Sequence, residues 1–270
     1  MVIKKIKTKG DKLQNIRLSD IGGKGLFTKK IEKELLNKKI DIAVHALKDL
    51  PSKESKNLYT DCYLKRNDPR EVLISRKRQK FHNLPKNSVI GTSSFRREFQ
   101  LKRLRKDLNY KLIRGNVDTR LKKLKNNLYD AIILSYAALK SLKMENNISQ
   151  IFSLSQIIPS AGQGAIALQC RKNDYQINKL LNFVNHPSTH KCVNAERDVL
   201  KVLDGDCETP VGANAKIIRN KLNLVVELFS IDGKKRFYMK SSKKLNLLNL
   251  IGKELGEKIK KRSKKLYKKK

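Results

Sequence analysis

Asp49 directly follows Lys48 at the end of a short apolar run. A carboxylate there can stabilise a cation or shuttle a proton, although Asp before Leu-Pro also reads as a turn former. Further along, Thr92, Ser93, Ser94, Arg96 and Arg97 follow one strand-like segment, and Arg114, Gly115, Asn116 and Arg120 follow the next. Guanidinium forks beside free helix N-terminal amides make anion sites, so carboxylates or phosphates are the expected ligands. Any one of these arginines alone reads as a surface residue; their repetition after successive strands favours the anion site. Cys207 lies in the polar, glycine-flanked loop GDCETPVG, where a thiol can be exposed and modified. Cys62, Cys170 and Cys192 sit in apolar contexts and read as packing residues. His45, inside a strand, reads as a core histidine. His186 and His190 lack the glutamate of an HExxH site, so no metal is expected, and Gly22-Gly23-Lys24-Gly25 lacks the GxxxxGK[ST] pattern.

These residues need elements to hold them. IDIAVHAL (40–47) is short, β-branched and stopped by Pro51, which predicts a buried strand; before it, 27–37 has helical spacing with Phe27, Ile31, Leu35 and Leu36 on one face. SVIGTSSFRREFQLKRLRK, YKLIRGNVDTRLKKLKNN and YDAIILSYAALKSL each read as strand, turn and helix, with a serine at the first N-cap. Three consecutive βα units imply a doubly wound parallel sheet, whose ligands bind beyond the strand carboxyl ends. IPSAGQGAIALQC (158–170) ends in a strand that returns the chain to an earlier sheet. From Asn214 the pattern becomes strands joined by short turns and then a helix over about 245–262, a separate α+β domain with an antiparallel sheet.

The chain has 270 residues, long enough for two or three domains, with 39% hydrophobic residues. No stretch approaches 18 consecutive apolar residues, which excludes a transmembrane helix, and the four cysteines stand singly, which favours a reducing, cytoplasmic setting. Sixty-two Lys and Arg against 25 Asp and Glu give a net charge of +37. The excess is mostly lysine, accompanied by abundant Asn and Ile, a composition that drift toward A/T-rich codons produces; we read most of it as solvated surface, with 258–270 a frayed helix end. No specific nucleic-acid partner is expected, while the positive field draws in small polyanions.

Together these segments resemble the porphobilinogen deaminase (hydroxymethylbilane synthase) family. The matching blocks are GGKGLFTK (22–29), DIAVHALKDLP (41–51), RNDPRE (66–71), GTSSFRR (91–97), RGNVDTRLKKL (114–124), YDAIIL (129–134), AGQGAIALQCR (161–171), NAERDVL (194–200) and GDCETPVG (205–212). The resemblance implies a cytoplasmic, monomeric transferase that joins four porphobilinogen molecules head to tail into hydroxymethylbilane, releasing ammonia each time, in heme biosynthesis. It implies a covalent dipyrromethane cofactor on Cys207 through a thioether, an attachment an exposed thiolate can make by capturing an electrophilic pyrrole. It implies Asp49 as the catalytic carboxylate. Lys48, Ser94, Arg96 and Arg97 would hold the cofactor and Arg114, Arg120 and Lys24 the substrate, whose acetate and propionate groups add anions to the cleft at each step.

The implied fold is α/β: two doubly wound domains like the halves of periplasmic binding proteins, plus a smaller α+β domain. Domain 1 would comprise 1–66 and 165–183, domain 2 70–158 and domain 3 187–270, with hinges near 67–69 and Pro159. Three departures stand out. The family usually begins with a strand and helix carrying IATRxSxLAxxQ, and this chain begins after it, which implies an unpaired sheet neighbour in domain 1 and either a start assigned late or a shortened gene. Lys140 is followed by Ser141 where an arginine is common, leaving Lys140 or Lys143 to compensate without a bidentate fork. Ala46 stands where a serine is common. The competing reading is a noncatalytic anion- or nucleic-acid-binding protein, or an inactive shortened deaminase.

Overall fold

A computed structural model describes residues 2–8, 25, 28–206, 209–245 and 250–268. Among them, three sheets divide the chain. The first begins after helix α1 (Lys29–Leu36), which turns Leu35 inward but leaves Leu36 exposed. Strand β1 (Ala43–Ala46) then runs into a single 3-10 turn, Leu47–Asp49. Strand β2 (Leu58–Tyr63) closes the outgoing segment. The returning strand, β8 (Ile166–Arg171), inserts between them, antiparallel to both, with His45 opposite Ala167 and Tyr63 opposite the same residue on the other side. The return predicted from the sequence is therefore present. Among the described residues β1 pairs with β8 alone, and Val44 on it is 64% exposed.

The second sheet comprises β3 (Glu71–Ser75), β4 (Val89–Gly91), β5 (Asn109–Lys111), β6 (Ala131–Ser135) and β7 (Gln150–Ile151) in the order β5-β4-β6-β3-β7. Strands β5, β4 and β6 are parallel, as the three βα units require, while β3 pairs antiparallel to both β6 and β7. Every residue of β3 and β6 is buried because helices and loops cover both faces, Leu73 and Ile133 packing to one side, Val72, Ile132 and Leu134 to the other. Helices α2 (Phe95–Leu104), α3 (Val117–Lys125) and α4 (Tyr136–Ser141) start from the carboxyl ends of β4, β5 and β6, so their N-termini gather at one edge of the sheet. That edge faces the β1 turn.

Helix α5 (Tyr175–Val184) follows β8, and α6 (Pro187–Leu203) leads into the third sheet, β9 (Val211–Ile218), β10 (Lys221–Phe229) and β11 (Arg236–Lys244), an antiparallel meander. The last helix, α7, spans Ile251–Ser263, starting later than the sequence pattern suggested. The expected start near 245 falls just after β11, whose pairing with β10 continues to Lys244 opposite Lys221. Helices α6 and α7 share one core with the inward face of β10, Leu222, Leu224, Val226 and Leu228.

The two connections between the first and second sheets run side by side, with Asn67 N–H donating to Gly164 O at 2.9 Å. They approach this closely because Gly164 sits at φ +83, where a Cβ would lie 2.6 Å from Asn67 O. Gly162, at φ +74, gives the same freedom against Leu47, just before the Lys48–Asp49 pair.

Candidate functional site

The site is built where the β1 turn meets the edge at which α2 and α3 begin. Asp49 closes its 3-10 turn exposed to solvent, and Lys48 beside it is half-buried. Burial pushes the Lys48 ammonium below its ordinary value, helped by Arg97 and Arg120 and opposed by Asp49 and Glu71. Burial, with Arg97 and Arg114, likewise brings Arg120 down to about 10 against the pull of Asp49. Residues from three separate blocks, Lys48–Asp49, Arg97, and Arg114 with Arg120, thus lie within electrostatic reach of one another.

The local structure explains how they are held. Ser94 caps α2, its Oγ accepting from Arg97 N–H at 3.4 Å, which leaves its O–H as a donor. Asn116 caps α3 in the same way, accepting from Thr119 N–H, and Arg120 Nε donates to Gly115 O at 2.8 Å. The two predicted arginines of α2 turn inward. Arg96 Nη2 donates to Glu71 Oε1 at 2.7 Å and its Nη1 to Ile158 O at 2.8 Å; Arg97 pairs with Glu71 Oε2 at 2.8 Å and donates to Ile133 O. Arg96 was expected to hold the cofactor; both arms of its guanidinium, like those of Arg97, are engaged within the protein. Arg97 keeps a buried Nε without a hydrogen-bond partner.

Glu71 was not singled out from the sequence. A carboxylate heading the apolar run VLIS is nonetheless a signal, since a charge in a strand buried on both faces must be paired. Burial alone would raise it, but Arg97 and Arg96 outweigh that and hold Glu71 at about 2. Two guanidinium groups share this one carboxylate, which leaves a surplus positive charge at the wall of the cleft.

Lys24 and Cys207 lie outside the described residues. On either side of 207–208, Thr209 N–H donates to Asp206 Oδ1 at 3.1 Å and Asp206 N–H to Thr209 Oγ1 at 3.0 Å. The remaining cysteines, Cys62, Cys170 and Cys192, are free and buried, as packing residues should be. Burial pushes the His45 imidazole below its ordinary value, and its Nε2 has no partner among the described residues. His186 caps α6, and His190 pairs with Asp61 at 2.7 Å. Lys140 is exposed in α4 and acts electrostatically on Asp68 at the first connection.

Known proteins match this chain along most of its length. Residues 1–179 match the family model of the porphobilinogen deaminase dipyromethane cofactor binding domain, and 190–261 that of the porphobilinogen deaminase C-terminal domain. A porphobilinogen deaminase of Desulforamulus reducens is 39% identical over 254 residues, 94% of this chain and 82% of that protein. Those of Syntrophomonas wolfei and Bacillus pumilus are 45% and 44% identical, covering 87% and 86% of this chain and 77% and 75% of theirs. Among solved structures, an arginine-specific periplasmic binding protein of Salmonella typhimurium overlaps 63% of this chain and 70% of its own at a TM-score of 0.34 and 19% identity, an overlap too loose to place a residue.

Proposed function

The chain belongs to the porphobilinogen deaminase family, transferases that condense porphobilinogen into hydroxymethylbilane in tetrapyrrole biosynthesis, and from that premise we propose which of its residues carry the reaction. Each addition breaks one carbon–nitrogen bond, releasing ammonia, and forms one carbon–carbon bond. Asp49 is the catalytic residue: exposed at the end of its turn, its carboxylate can stabilise the positive charge that develops on the substrate's pyrrole and can take up the proton that leaves. Lys48, Arg97, Arg114 and Arg120 hold the acetate and propionate groups that accumulate as the chain grows. By the family resemblance Lys24 joins them in binding substrate. Arg96 acts mainly by fixing Glu71 and the Ile158 carbonyl, and Ser94 by capping the helix that presents Arg97.

The family's dipyromethane cofactor fits the residues present. The surplus cation over Glu71 and the unpartnered Arg97 Nε suit a ligand that brings several carboxylates. Cys207 would anchor it through sulfur, and Lys48 and Arg97 would hold its acidic side chains; when bound it supplies the pyrrole carbon onto which the product is built.

We assign the three sheets to three domains, 1–66 with 165–183, 70–158 and 187–270, flexing at 67–69 and Pro159 as the product lengthens. We read the protein as a cytoplasmic monomer, the free thiols of Cys62, Cys170 and Cys192 agreeing with a reducing setting. Among the described residues no helix is long and apolar enough to cross a membrane.

The observation that carries this assignment is that Lys48 and Arg120 lie within electrostatic reach of the exposed Asp49 carboxylate, with Arg97 and Arg114 near enough to act on Arg120 in turn. Intact mass before and after supplying porphobilinogen tests it. Supplied with porphobilinogen, the parent should gain the mass of a dipyrromethane and Cys207→Ser should not; Asp49→Ala, supplied with hydroxymethylbilane, should gain the mass of its four pyrrole rings less the water that leaves, yet turn over about 10²–10⁴-fold more slowly. An Asp49→Ala variant that retains turnover would refute the catalytic assignment, and a Cys207→Ser variant that retains the increment would refute the anchor.

A further inference from the structure

Between the Asp49 turn and the end of α6 runs a seam centred on Ser52, a residue outside the family blocks. Ser52 is 9% exposed, and its Oγ donates to Gly205 O at 2.9 Å across 153 residues of chain. One residue earlier, Pro51 O accepts from Arg197 Nη2 at 2.8 Å, and Arg197, on the buried face of α6, is itself 2% exposed. Gly205 is fixed from its other side by its N–H, which donates to Leu200 O at 2.9 Å at the end of the helix. Its carbonyl is therefore immobilised between a helix terminus and a hydroxyl. The paired bonds between Asp206 and Thr209 then close the chain just beyond it.

The arrangement is economical in chain length. Ser52 stands three residues after Asp49, and Gly205 two residues before Cys207. The covalent route from Asp49 to Cys207 passes through the second sheet, the returning strand and then the whole of α5 and α6. The Ser52–Gly205 bond is a short link between the segment bearing the carboxylate and the segment bearing the thiol. Pro51 stiffens the first of them by fixing its own φ.

We propose that Ser52 and Arg197 are positioning residues that set the separation of the Asp49 carboxylate from the cofactor loop, and so govern cofactor attachment and the reaction's turnover step. The proposal rests on the reading of Cys207 as the anchor. Ser52 touches neither substrate nor reacting atoms; it acts by keeping Gly205 O where the loop must begin. Misplacing reacting groups by about 1 Å costs up to a hundredfold in rate, whereas substrate affinity depends on the arginines across the cleft and is left alone.

The test compares Ser52→Ala with Ser52→Thr, which keeps the donor. Attachment is followed by intact mass after apo-protein is mixed with hydroxymethylbilane, and steady-state turnover of porphobilinogen is measured on loaded enzyme. Ser52→Ala should attach cofactor about ten- to a hundredfold more slowly and lose kcat in similar proportion, with KM unchanged within about twofold; Ser52→Thr should recover both. Lys53→Ala, which removes only the exposed Lys53–Asp204 pair beside the seam, should behave as the parent. Arg197→Lys, a second probe of the same seam, should slow attachment in the same direction. Parental attachment and kcat in Ser52→Ala would overturn the proposal, as would a loss that Ser52→Thr shares or one expressed in KM. Retention of the mass increment by Cys207→Ser would instead overturn the anchor, whatever Ser52 does.

Discussion

Two buried glutamates, Glu71 and Glu196, each meet arginine in this protein, and they do opposite work. Glu196, on α6, is fully buried and saturated: Arg66 donates to both oxygens, at 2.6 and 3.1 Å, and Gly162 N–H and Ala215 N–H each donate at 2.7 Å. Asn214 Nδ2 adds a longer bond at 3.4 Å. Arg66 lies on the outgoing connection, Gly162 on the returning one and Ala215 in the third sheet, so a single carboxylate joins all three parts, with one charge against one. Glu71 instead meets two guanidinium groups, and one of them keeps an unused Nε. The first network is closed and neutral; the second is open and cationic. A buried arginine–carboxylate contact therefore says little about function until the charges and donors are counted. The surplus identifies the binding wall, and the balance identifies the joint.

The comparison can be broken most forcefully at Glu196. Glu196→Gln leaves Arg66 buried against a neutral amide and should cost about 3–5 kcal/mol in urea unfolding, because one partner of a buried pair is removed. A loss below about 1 kcal/mol would mean that the joint is not closed as described. At Glu71 the contrast appears as pH dependence. Its carboxyl titrates at about 2 in the folded protein, below the 4.5 of the free group, so the folded state favours the ionised form. The stabilisation is complete above pH 4.5 and disappears as pH falls from there through about 2, in total about 3 kcal/mol. Stability measured from pH 5 downward should show this slope in the parent and lose it in Glu71→Gln; an unchanged slope would place the acid sensitivity elsewhere. The smallest effect on folding is expected at Arg97. Arg97→Met leaves Glu71 paired with Arg96 and should change stability by about 1 kcal/mol, while raising KM for porphobilinogen about tenfold. If it destabilises as Glu196→Gln does, the distinction between binding wall and joint collapses.

Much of this was legible in the residues. The βα units, the serine cap at Ser94, the return strand over 166–171 and the antiparallel third sheet all follow from local pattern, because strand alternation, helix capping and turn chemistry act over a few residues. The blocks around Asp49 and Cys207 likewise point to acid–base and thiol chemistry before any fold is known. The start of α7 was read too early, from about 245 against Ile251, since helix ends are the least sharply encoded part of an element. Glu196 lies on the apolar stripe of α6 with Val193 and Val199, and a charge on such a stripe is a signal that can be read in advance.

What the sequence by itself determined is the set of reacting residue types, their order and the elements that carry them, since each depends on neighbours a few positions away. Which arginines remain available to a ligand was decided only by the tertiary structure. Arg96 is committed by a glutamate 25 residues upstream, Arg66 by one 130 residues downstream, and the loop root at Gly205 by a serine 153 residues before it. A guanidinium is free or spent according to the charges and acceptors around it in space, and those meet only when the sheets close on one another.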